Sequence, residues 1–135
     1  MPPLFLPSMN KKVILAIRVF FGLMLLTFGS FTFMKLPVPD FYSAGAKAFL
    51  LALANTGYLN YAIGVVFIVV GLLFVIGRFV AFGALLLAPV IVNILLFHLF
   101  LDFKTLFPLP AVFALLNSFI AYTEWEKYKP LFVAR

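Results

Sequence analysis

From Leu59 to Ile76 the chain runs eighteen residues without a charged side chain. A helix needs about 20 apolar residues to cross a hydrocarbon core of about 30 Å, so this run has the length and chemistry of a membrane span. Three more runs are long and apolar: Val13 to Phe33, interrupted only by the charge of Arg18, Phe79 to Leu101 and Leu106 to Tyr122. With 66% of residues hydrophobic, 10% charged and a mean hydropathy of +1.22, 135 residues leave no room for a soluble domain beside the spans. The expected fold is all-α, a polytopic membrane protein built as a four-transmembrane-helix bundle. Residues 13–123 form its single domain, 1–12 a short cytoplasmic segment and 124–135 a short cytoplasmic tail.

The segment 1–12 carries three prolines and is expected to be unstructured. A secretory signal is the competing reading. The apolar run that follows is longer than the usual ~7 to 15 residues and lacks a small-x-small cleavage site, so it is kept as a span. Met9, followed by Asn10-Lys11-Lys12, would serve equally well as a start. After the first span, Pro37 and Pro39 exclude a continuing helix. Asp40 then caps a short helix from Phe41 to Ala54, too short to span and therefore expected at the interface.

Four spans put both ends on one side. Lys11, Lys12, Arg18, Arg78, Lys127, Lys129 and Arg135 fall on that side, and Lys35, Lys47 and Lys104 on the other. The excess assigns both termini to the cytoplasmic face of a plasma (inner) membrane. Tyr58, Tyr61, Tyr122, Trp125 and Tyr128 fall near span ends, where aromatic rings anchor at headgroups. The net charge of +6 then reflects topology and contact with anionic lipid, which argues against nucleic acid as a partner.

Polar and small residues inside the runs carry the rest. Gly22 and Gly29 in the first span, and Gly64 and Gly71 in the second, are each seven apart and mark helix-packing faces. Pro89 removes the donor for the Leu85 carbonyl inside the third span. His98 and Asp102 are four apart, so a helix continuing that far would stack them as a candidate proton relay near the outer surface; the alternative is a histidine that only reaches the interface. Arg18 is expected within reach of Asn117 or Glu124 as a structural pair, or else snorkelling to the surface. Asn93, about 12 to 15 Å inside the outer boundary, is expected to hydrogen-bond between helices. With no cysteine and one histidine, neither a metal centre nor paired haem ligands are expected.

Ile14 to Phe33, Gly57-Tyr58-Leu59, Gly71 to Phe79 and the string from Pro89 to Asp102 follow one another in an order that resembles the DoxX-like family of small four-helix membrane proteins. The likeness covers residues 11–122, with the Pro89 to Asp102 string its most specific part. It implies a four-span bundle, and through relatives such as a subunit of thiosulfate:quinone oxidoreductase it implies a link to membrane redox complexes. Many relatives carry a glutamate in the second span where this chain has Phe67, which removes an intramembrane acid.

Three functions remain open on the residues. The first is a non-catalytic accessory or assembly subunit of a membrane complex, partnered by lipid and other membrane proteins. The second is a redox component working with quinone through His98 and Asp102. The third is a small transporter or lipid-binding protein gated by a kink at Pro89 and the outer-side loop helix.

Overall fold

The computed structural model describes residues 10–134; the expectations for residues 1–9 and Arg135 lie outside the described residues. Among them every regular element is helical: α1 (Lys11–Phe31), α2 (Ala44–Asn55), α3 (Leu59–Ile76), α4 (Val80–Leu101), α5 (Leu109–Thr123) and the single turn α6 (Trp125–Tyr128). Three of them, α1, α3 and α4, are long and apolar enough to cross a membrane. With 15 residues, α5 is about 22 Å long.

Local chemistry sets the ends. Asn10 caps α1, its side-chain oxygen accepting from the Lys12 N–H at 2.8 Å. The helix expected from Phe41 begins instead at Ala44, because Ser43 rather than Asp40 is its cap and accepts from the Ala46 N–H at 3.3 Å. Asp40 pairs with Lys47 at 3.2 Å. Gly77 closes α3 in the left-handed region (φ 81°), which its missing Cβ permits, and Phe79 also takes positive φ (54°), so three residues turn the chain from α3 into α4. Pro89 sits inside a continuous α4. The start of α5 falls three residues after the expected Leu106, since Pro108 and Pro110 are tolerated only at its first turn.

The glycine faces meet each other. A Cβ built on Gly22 would lie 2.8 Å from the Gly71 carbonyl oxygen, and one on Gly71 equally close to that of Gly22. Gly29 and Gly64 repeat this backbone approach toward the other end of α1, where Thr32 Oγ1 occupies the space a Cβ on Gly64 would need. The α1–α3 pair is accordingly the most extensive in the molecule, with α4 against α3 and α5, and α5 closing back on α1. Phe21, Leu25, Val70, Phe74, Leu87 and Ile120 are fully buried between these helices. Phe21 meets Phe113 edge-on, ring centroids 5.4 Å apart.

Because α1 lies on α3, Arg18 goes to the end of α3. Its Nε donates to the Phe74 carbonyl at 2.8 Å and its guanidinium packs over Gly77. A cation there satisfies carbonyls that the last turn of a helix leaves without donors. The expected pairing with Asn117 or Glu124 does not form. Glu124 bonds Lys127 at 2.7 Å, one turn away on its own segment.

Candidate functional site

The last turn of α4 carries His98, which is 6% exposed. Its Nδ1 lies 2.8 Å from the Ile94 carbonyl oxygen. A carbonyl only accepts, so Nδ1 bears a proton, and Nε2 is the ring nitrogen left to face a ligand. Phe97 meets the imidazole edge-on at 4.8 Å and Tyr42 lies 6.4 Å away, ring centre to ring centre.

This imidazole lines a cavity of about 410 Å³. Phe28 of α1, Phe67 of α3 and Phe113 of α5 form its inner wall, with Phe113 edge-on to Phe28 at 5.5 Å and tilted against Phe67 at 6.0 Å. Phe41 and Phe107 line its mouth and are largely exposed. The polar wall is His98, Tyr42, Lys104 and Thr105. Burial first, and then the nearby Asp102 carboxylate, push the Tyr42 phenol above its ordinary value, so it stays a hydrogen-bond donor. The volume suits one or two rings, since ligand pockets start at about 300 Å³. A flat ring is favoured by aromatic walls, and an oxygen-bearing edge by an acceptor nitrogen beside a phenol and an ammonium.

Asp102 does not orient His98. The helix ends at Leu101, and Asp102 turns away in an extended conformation (φ −156°), so the spacing of four no longer stacks the two side chains. Its buried carboxylate accepts from the Ser43 N–H at 2.7 Å, while Ser43 Oγ donates to the Leu101 carbonyl at 2.6 Å. These bonds tie the start of α2 to the end of α4 and hold Tyr42, the residue before Ser43, in the cavity wall. Tyr42 also borders a second cavity of about 670 Å³ lined by Lys35, Asn60 and Tyr61, so one ring separates the two spaces.

The other polar expectations fare differently. Asn117 is buried and donates from Nδ2 to the Ala84 carbonyl at 3.2 Å, a contact to α4 rather than to Arg18, and its Oδ1 has no partner. Asn117→Leu is therefore expected to leave thermal stability within about 1 kcal/mol of the parent, because it removes one long hydrogen bond together with an unsatisfied buried acceptor. A loss well beyond that in a detergent unfolding curve would count against this account. Tyr128, expected at headgroups, is buried and donates to the Ala81 carbonyl at 2.6 Å. Asn93 is exposed on α4 and makes no hydrogen bond among the described residues, so the expected bond between helices does not form among them. No group of three metal-ligating side chains occurs among the described residues.

Sequence reasoning singles out His98 and Asp102 and does not single out Tyr42 or the phenylalanine wall. No family model, curated protein or solved structure matches the chain.

Proposed function

We propose that this chain is an integral plasma-membrane protein whose four helices cross the bilayer with both termini in the cytoplasm, and that it holds a lipid-soluble, hydroxyl-bearing ring compound of the quinol class beside His98. The aromatic cavity with one acceptor nitrogen in its wall carries the reading. A fourth crossing is supported by α5 and α6 together, twenty residues from Leu109 to Tyr128, whose far end bonds Ala81 at the start of α4. The excess of seven lysines and arginines over three supports the orientation.

The reading joins two of the sequence expectations. The chain has no cysteine, so electrons leaving such a ring would pass to a partner, and the protein serves as the membrane subunit that presents the ring. In this reading His98 Nε2 accepts a hydrogen bond from a ring hydroxyl, while Tyr42 and Lys104 donate to ring oxygens. Where relatives in the resembled family carry glutamate, Phe67 supplies ring surface instead. A transport path lined by Asn93 is disfavoured, because that side chain lies outside the bundle.

The test pairs two stable probes, 2-naphthol and its methyl ether 2-methoxynaphthalene, in which a methyl group replaces the donor hydrogen, titrated into the protein in nanodiscs. Saturable binding is expected, with the naphthol about tenfold tighter, the value of one hydrogen bond. His98→Phe should erase the preference, and His98→Gln, which returns an acceptor oxygen near the place of Nε2, should restore part of it. Uptake no greater than into empty nanodiscs would overturn the proposal.

A further inference from the structure

We propose that α4 is also the seam between two copies of this chain, held in register by Asn93 pairing with the same residue of a second copy. The inference rests on α4 crossing the membrane and is independent of any ligand beside His98. Asn93 lies eight residues before the end of α4, about 12 Å along the axis. Its side chain faces outward and hydrogen-bonds to nothing among the described residues. An amide carries two donors and an acceptor, and hydrocarbon satisfies neither kind. Its short side chain cannot snorkel that distance to water, as lysine or arginine would from nearer a helix end. Left against lipid, the group would bear the full cost of an unsatisfied polar atom, so a partner at the same depth is required.

A second copy always supplies one. About a twofold axis a carboxamide is self-complementary, each amide nitrogen donating to the other's oxygen, and two copies inserted the same way present Asn93 at the same depth. The surroundings have the matching repeat. Phe82, Leu86, Pro89, Asn93, Leu96 and Phe100 alternate spacings of four and three, the 3.5-residue repeat of a left-handed parallel helix pair. All six are exposed or half-buried, Phe100 at 81%. A single asparagine in such a seam fixes register and oligomeric state. Beside it runs a second stripe, Leu85, Val92 and Leu99, as exposed at 51%, 53% and 48% but without a polar group. That stripe is assigned to lipid.

The two stripes give a discriminating experiment. Because the chain has no cysteine, single substitutions report alone. Leu96→Cys and Leu99→Cys, 46% and 48% exposed in the parent, would each be oxidised with copper phenanthroline in native membranes after a carbonate wash. A disulfide-linked dimer is expected from Leu96→Cys and not from Leu99→Cys. Adding Asn93→Leu to Leu96→Cys should abolish it, and adding Asn93→Gln, which keeps an amide, should preserve it. Equal dimer from both positions, none from either in carbonate-resistant membranes, or a dimer that survives Asn93→Leu overturns the seam. Release of the protein by carbonate would instead overturn the membrane crossing on which it rests.

Discussion

Gly71→Ala is expected to destabilise the bundle by about 2 to 3 kcal/mol, the range for forcing a methyl group into a packed interface. The added Cβ would meet the Gly22 carbonyl oxygen at 2.8 Å, Leu26 Cγ at 2.9 Å and the Leu26 backbone nitrogen at 3.1 Å. Two of these three atoms belong to a helical backbone and cannot rotate aside. Relief therefore requires α1 to move away from α3 along the glycine face, which loosens the contacts of Phe21 and Leu25 as well. Gly22→Ala should cost a similar amount, and the double variant less than the sum, because both substitutions open one contact. Gly45→Ala is the control, since its Cβ would meet only Leu101 Cδ2 at 3.9 Å. There, in α2, alanine should be neutral or stabilising by up to about 1 kcal/mol. Loss of helicity along a denaturing-detergent titration measures all four variants. A Gly71→Ala curve that overlays the parent would mean that α1 and α3 do not touch through this face.

Those glycines were legible in the sequence because they needed only a period and a composition. The same holds for α1, α3 and α4, whose expected ends fall within about two residues of the observed ones, since hydrophobic length is a one-dimensional property. Partner choice is different. Pairing Arg18 with Asn117 or Glu124 rests on shared depth and on the first and fourth spans being neighbours, and depth does not say which helix offers the nearest acceptor. Once the glycines place α1 on α3, the Phe74 carbonyl becomes the nearest acceptor. Asn93 shows the same limit, because helical rise gives a position along α4 while the face is set by the rotation of α4. The cavity wall was harder still. Phe28, Phe67 and Phe113 sit one to a helix with no local pattern joining them, and Tyr42 arrives from a loop whose path is fixed by a bond from Ser43 to Asp102. A lone carboxylate just past an expected helix end is the available signal, and it reads as a tether as readily as a relay.

Asp102 decides between those two meanings experimentally. As a tether, the carboxylate offers the Ser43 N–H a charge-assisted bond, the stronger kind, worth about 1.5 to 3 kcal/mol. Asp102→Ala leaves that half-buried N–H without its carboxylate and frees the start of α2, so the amides of Ala46 and Lys47 should exchange hydrogen about 10- to 100-fold faster while those in the middle of α3 hold their protection. Tyr42 should move with the loop, and naphthol binding beside His98 should weaken even though the imidazole keeps its own bond to Ile94. Asp102→Asn separates the roles. An asparagine oxygen still accepts from Ser43, so a tether loses only the charge-assisted part of its strength and α2 stays largely protected. A relay would lose its base entirely in either variant, so binding and exchange would be equally affected by alanine and asparagine. Expected, then, is a graded response, with asparagine close to the parent and alanine far from it. Equal responses would return Asp102 to the imidazole and undo the tether.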